Sequence, residues 1–110
     1  MNQCQKLSVK AIIYRGNRVV GAGYNKPLTA CDNESCHVDE HCVNTIHAEA
    51  AALLQAGTRA RGASMRVSHE PCWQCRKLII AAGISKVYYE NDYYHELNHL
   101  FEGDVEWVRV

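Results

Sequence analysis

Two short stretches of this sequence set metal-ligating and proton-carrying side chains at close spacing: His47-Ala48-Glu49 and Pro71-Cys72-Trp73-Gln74-Cys75. Side chains three apart on a helix share a face, so Cys72 and Cys75 can give both sulfurs to one ion. His47 and Glu49 are two apart and would point nearly opposite ways inside a helix. In a first turn, where Cβ vectors tilt toward the N-terminus, both reach a site beyond the helix end. If the two stretches meet, one neutral imidazole and two thiolates offer a tetrahedral Zn²⁺ site whose fourth position is open to water, the catalytic rather than the structural arrangement. Such soft ligands favour zinc over Mg²⁺ or Ca²⁺. Zinc lowers the pKa of its water from about 15.7 toward roughly 7, so hydroxide becomes available at neutral pH, and Glu49 is the proton carrier that hydrolysis would need. A C-x-x-C alone equally suits a redox pair or half of a structural zinc site, and an H-x-E alone on an Ala-rich helix suits packing. The two together, in this order, point to catalysis.

The elements around these stretches must bring them together. Leu7 to Tyr14 and Val19 to Tyr24 are short, β-branched and apolar, and the turn-prone Arg15-Gly16-Asn17-Arg18 between them makes an antiparallel hairpin. Asn25 to Val43 has neither period and reads as a long loop. Asn44 or Thr45 is available to cap an Ala/Leu-rich helix over Ile46 to Ala56, which Gly57 ends. Met65 to Ser68 is a strand, Pro71 stands as the first residue of a second helix reaching Ala82 before Gly83, and Lys86 to Tyr89 is a strand. Tyr93 to Glu102 carries Tyr94, Leu97, Leu100 and Phe101 at helical spacing, and Val105 to Val110 closes as a strand. The order β-β-α-β-α-β-α-β predicts a five-stranded mixed sheet, its first two strands an antiparallel hairpin and its last three parallel because helical crossovers join them. Parallel strands that present both helix N-termini at one sheet edge make His47, Cys72 and Cys75 converge. The helix N-termini would add partial positive charge favouring thiolate and hydroxide.

Length and composition bound the rest. At 110 residues, with no repeat or linker-like stretch, the whole of residues 1–110 reads as a single domain. Twelve Lys and Arg balance twelve Asp and Glu, which removes the basic excess of a nucleic-acid or anionic-membrane binder. The longest apolar run, Leu78 to Ile84, falls short of the roughly 18 residues of a membrane span. The opening Met1-Asn2-Gln3-Cys4-Gln5-Lys6 lacks a secretory pattern, so a cytoplasmic protein is expected. Six Cys and six His in a reducing compartment point to metal before disulfides.

His-x-Glu followed by Pro-Cys-x-x-Cys is the pattern of zinc nucleobase deaminases, in which the carboxylate moves protons between water, a ring nitrogen and the departing ammonia. The sequence resembles the deoxycytidylate (dCMP) deaminase family, and within it the late-competence ComE-operon branch. The matching segments are Leu7-Ser8-Val9, Gly23-Tyr24-Asn25, Asp39-Glu40-His41-Cys42-Val43, Thr45-Ile46-His47-Ala48-Glu49, Val67-Ser68-His69-Glu70-Pro71-Cys72 and Ala82-Gly83-Ile84-Ser85-Lys86-Val87-Tyr88-Tyr89. The resemblance implies a three-layer α/β/α cytidine deaminase-like fold and hydrolysis of dCMP to dUMP. It implies His47, Cys72 and Cys75 as zinc ligands and Glu49 as acid/base. It also implies Asn25 at the sugar, the Ala48 backbone and Ser68 at the pyrimidine, and Tyr93 bordering the nucleotide. Where relatives open with a helix, six residues precede Leu7, so that helix is expected to be missing or very short and a neighbouring subunit to cover a sheet face in a homo-oligomer, dimer to hexamer. The loop Gly23-Tyr24-Asn25-Lys26-Pro27 lacks the second glycine that many relatives use in dCTP activation, which leaves a dCTP or dTTP effector open. Asn44 and Ala51 stand where relatives have Arg and Asn.

Four further cysteines, Cys4, Cys31, Cys36 and Cys42, could close a second, structural zinc site, as relatives often carry, with His37 or His41 in place of one thiolate; the alternative is free thiols. Beside dCMP deamination stand a cytidine, deoxycytidine or tRNA-adenosine deaminase and a catalytically silent zinc module with a regulatory or DNA-uptake accessory role. Neutral charge speaks against RNA, and Glu49 speaks against a silent module, which would have no use for that carboxylate.

Overall fold

The hairpin forms as the spacing predicts. β1 (Lys10–Arg15) pairs antiparallel with β2 (Arg18–Tyr24), running from Lys10 opposite Tyr24 to Arg15 opposite Arg18, with an irregularity at Ile13/Tyr14. The computed structural model describes residues 8–27 and 45–110, together with the backbone of 37–38 and 41–42. Within the stretch expected as loop, short ladders form: β3 (Lys26–Pro27) pairs with β6 (Thr45–Ile46), and β4 (His37–Val38) with β5 (His41–Cys42). Then follow α1 (Ala48–Ala56), a 3₁₀ turn over Gly57–Ala60, β7 (Ser64–His69), α2 (Trp73–Ala82), β8 (Lys86–Asn91), a 3₁₀ turn over Asn98–Leu100 and β9 (Glu106–Arg109). Cys4, Cys31 and Cys36 and the side chains of Cys42, His37 and His41 lie outside the described residues, and with them the second metal site.

The main sheet is five-stranded and mixed, in the order β2-β1-β7-β8-β9. β1 lies antiparallel to both β2 and β7, while β7, β8 and β9 are parallel. Strand alternation sends Ala11 and Ile13 of β1, Met65 and Val67 of β7 and Val87 of β8 to one face, where they form a single core with Ala48, Ala52 and Ala56 of α1 and Ile79 of α2. Full burial of each large aliphatic side chain contributes about 1.5–3 kcal/mol, so Ile13, Met65 and Ile79 are the main anchors. The opposite face carries half-buried Ile12, Tyr14, Tyr88 and Val108, and no helix packs on it among the described residues. No helix among them is long and apolar enough to cross a membrane.

The connection between β8 and β9 departs from expectation. Instead of a helix over Tyr93 to Glu102, one 3₁₀ turn forms at Asn98–Leu100. Side chains take both groups of the first helical bond, since Leu97 N–H donates to His95 Nδ1 (3.0 Å) rather than to the Tyr93 carbonyl, and side chains from outside the segment hold its two ends. Tyr93 N–H donates to Glu70 Oε1 (3.2 Å), Asn98 Nδ2 donates to the Tyr93 carbonyl (3.2 Å), and Arg76 Nη1 donates to the Phe101 carbonyl (3.3 Å). Tyr94 and Leu100, counted toward an apolar stripe, are 86% and 59% exposed, so the spacing has no core face to serve.

The helix starts also differ from expectation, each by residues that bear on the site. His47, not Asn44 or Thr45, is the N-cap of α1, because Thr45 and Ile46 are taken up in the ladder with β3. Cys72 is the N-cap of α2, which puts Pro71 before the cap rather than at the first helical position. The ends are as read: Gly57 closes α1, and Gly83, at φ 82°, closes α2 in the left-handed conformation, its N–H returning to Ile79 and Ile80 carbonyls.

Candidate metal centre and active site

Topology alone brings the two donor stretches together. α2 leaves the C-terminal end of β7, and α1 runs back to feed the N-terminal end of the same strand, so both helices start at one sheet edge. His47 and Cys72 occupy equivalent places as N-caps, both extended (φ −72°, ψ 150° and φ −71°, ψ 165°), and neither spends its side chain on a capping hydrogen bond. An extended N-cap turns its side chain past the helix end, where Ser, Thr, Asp or Asn would ordinarily bond the first-turn N–H groups. Glu49 and Cys75 follow in the first turns and point back toward the same place.

The donor atoms meet. His47 Nδ1 lies 3.2 Å from Cys75 Sγ and 3.7 Å from Cys72 Sγ, and the three donors fall within 4.8 Å of one another. With Zn–N near 2.0–2.1 Å and Zn–S near 2.3 Å, the edges of a tetrahedral site measure about 3.6–3.8 Å, so the imidazole and two thiolates are spaced to hold zinc. His47 is exposed, Cys72 half-buried and Cys75 buried, leaving the centre open on its histidine side.

Charge is shared unevenly among these groups. The hydrogen bond from Cys75 holds the Cys72 thiol down to about 4, with the bond to His47 adding to it. The same bond, with burial, pushes the Cys75 thiol up. His47 is raised chiefly by its hydrogen bond with Cys72. Burial pushes the Glu49 carboxyl up to about 7. Glu49 is only 5% exposed and bonds the Cys75 sulfur, so this carboxyl sits at the centre without being one of its three donors.

The other expected residues are spread more widely. Ala48, fully buried, opens α1, where its N–H has no partner in the helix. Asn25 follows β2, and its Oδ1 accepts from Val9 N–H at 2.8 Å. Ser68 turns to the other face of the sheet, where its hydroxyl accepts from Lys10 N–H (3.0 Å) and it lines a cleft with Lys10, Ile12, Arg66 and Glu90. Tyr93, half-exposed, begins the β8–β9 connection beside Glu70.

Glu70, quoted in a matching segment, and Arg76 were given no role in the sequence. Their ion pair is 3.0 Å, with side chains 16% and 6% exposed, directly beside the cysteine donors. Six residues apart across a proline, they share no helical face, and no local spacing rule joins them. The one available signal is an arginine immediately after Cys75 and three residues before Ile79, on the same buried helical face.

Known proteins share this arrangement. Residues 1–91 match the family model described as the cytidine and deoxycytidylate deaminase zinc-binding region. ComE operon protein 2 of Bacillus subtilis (strain 168) is 46% identical over 97 residues, covering 82% of this chain and 51% of that protein. Deoxycytidylate deaminase of Homo sapiens is 34% identical over 94 residues, covering 77% and 53%. The chain thus spans about half the length of these two relatives. It spans 84% of the deoxycytidylate deaminase of Mycobacterium phage D29, at 33% identity over 108 residues. The crystal structure of dCMP deaminase from the cyanophage S-TIM5, in complex with dCMP and dUMP, superposes with a TM-score of 0.77 at 25% identity, covering 98% of this chain and 85% of that one. With His47, Cys72 and Cys75 gathered at two helix starts on this sheet, the chain belongs to the cytidine and deoxycytidylate deaminase family, whose zinc-binding region it carries.

Proposed function

We propose that this chain catalyses the hydrolytic deamination of dCMP to dUMP with release of ammonia, using His47, Cys72 and Cys75 as zinc ligands and Glu49 as acid/base. The observation that carries the reading is the position of Glu49: a buried carboxyl in the first turn of α1, against the donor cluster yet outside it. A purely structural zinc site has no need of such a group. Zinc held by His47, Cys72 and Cys75 would supply Lewis acidity at this centre. Glu49 takes a proton from the attacking water as its oxygen bonds to C4, passes it to N3, and then moves the second proton to the amine as the C4–N4 bond breaks. Water and dCMP are thereby converted to dUMP and ammonia.

In this reading the free Ala48 N–H meets the pyrimidine, Asn25 the sugar, and Tyr93 the border of the nucleotide. The Ser68 hydroxyl is engaged on the other sheet face, so its contribution is confined to its backbone. The protein acts as a homo-oligomer, a reading supported by the half-buried apolar residues Ile12, Tyr14, Tyr88 and Val108 on the face where no helix packs among the described residues, and tested by sedimentation velocity.

The deciding experiment follows ammonia release from dCMP, dCTP, cytidine and deoxycytidine with the zinc-loaded protein. Turnover of dCMP above the others is expected. Preference for an unphosphorylated nucleoside would overturn the substrate assignment, and no turnover of any of the four would overturn the enzymatic reading.

A further inference from the structure

Arg76 lies one residue beyond Cys75 and gathers groups from three parts of the chain. Its Nη2 donates to Glu70 Oε2 at 3.0 Å, its Nε to the Pro71 carbonyl at 3.3 Å and its Nη1 to the Phe101 carbonyl at 3.3 Å. The guanidinium lies over the Trp107 ring of β9, 4.2 Å from the centroid. Glu70 completes the link with its second oxygen, which accepts the Tyr93 N–H at 3.2 Å, while Glu70 N–H donates to the Asn91 carbonyl at 2.7 Å. One buried pair therefore grips the residue before Cys72 and both ends of the 93–101 segment.

A buried ion pair is a poor source of net stability, because desolvating two charges offsets their attraction. Its distinctive property is direction, since the planar guanidinium fork and the two carboxylate oxygens fix their partners' relative places. We propose that Glu70 and Arg76 are positioning residues that set the 93–101 segment, Tyr93 first, against the start of α2, and so fix the substrate side of the site without holding the metal donors. The role of Tyr93 at the nucleotide rests on the proposed deaminase reading; the mechanical link between Glu70 and the segment does not.

The test compares wild type, Glu70→Ala, Glu70→Gln and Arg76→Lys by hydrogen exchange, zinc content and steady-state kinetics with dCMP. In Glu70→Ala, exchange over 92–101 accelerates by about tenfold or more while 48–56 is unchanged, as for local opening of one segment. Zinc content stays at the wild-type value, and KM rises about tenfold with kcat altered less than about threefold, the pattern of lost positioning for binding. Glu70→Gln, which keeps an acceptor for the Tyr93 N–H, restores most of the protection near Tyr93. Arg76→Lys keeps the charge without the fork and loosens 97–101. Acceleration spread through 48–56 with loss of zinc would show a general structural role and overturn the proposal, as would unchanged exchange and KM in both Glu70→Ala and Arg76→Lys. If Glu70→Ala does not fold, Arg76→Lys decides by the same readouts. If wild type turns over no nucleotide, the deaminase reading fails, and the exchange data still decide the link.

Discussion

α1 and α2 each begin with a donor residue at the N-cap, yet α1 is seated by the absence of side chains and α2 by a charged one. Under α1, a Cβ on Gly21 would stand 2.4 Å from the Ala52 carbonyl oxygen, and one on Gly23 would stand 2.7 Å from the Ala48 carbonyl oxygen and 2.7 Å from Ala51 Cβ. The helix answers with Ala48, Ala52 and Ala56, and its backbone approaches β2 more closely than larger side chains would allow. Under α2, Arg76 reaches out to Glu70, Pro71, Phe101 and Trp107. A seat of small residues is sensitive to volume and indifferent to charge; a seat made by a guanidinium is the reverse. The metal centre between them needs both, because its three donors come from both helix starts.

Three substitutions separate what the two starts supply. The largest effect falls on chemistry: Glu49→Gln keeps the three donors, so zinc content is unchanged while kcat falls by about 10²–10⁴-fold, the usual contribution of a general acid/base. Metal analysis beside ammonia release checks it, and joint loss of zinc and activity would return Glu49 to a structural role. Next, Arg76→Met leaves the half-buried Glu70 without its partner and destabilises by about 2–3 kcal/mol, read as a lowered denaturation midpoint. A smaller shift would mean that water reaches Glu70 once the arginine is gone. Last, Gly23→Ala forces β2 and α1 apart and costs about 2 kcal/mol by overpacking. Because Gly23 abuts Ala48 and Ala51 and not α2, its effect and that of Arg76→Met should add in the double variant. Strong non-additivity would show that the two seats act as one.

Local chemistry made much of this legible. The donor set followed from residue types and short spacings, the helix ends from Gly57 and Gly83, and the mixed sheet from apolar strands separated by helical runs. The failures share a cause. Thr45 looked like a cap but was drawn into a ladder with Pro27, a partner eighteen positions back by number. Tyr93 to Glu102 had helical spacing, but Asn98 Nδ2 took the Tyr93 carbonyl and His95 Nδ1 took the Leu97 N–H, the two groups that the first helical bond would have joined.

Residue order thus carried the identity of the donors, the presence of a carboxyl beside them and the alternation of strands and helices, because each depends on side-chain type and on neighbours within one turn. Where the helices begin, how closely α1 sits on β2, and that a glutamate and an arginine clamp the far side of the pocket were settled by folding. Each of these depends on groups distant in the chain competing for one hydrogen bond, one gap or one charge, and that competition is resolved only when the chain has closed on itself.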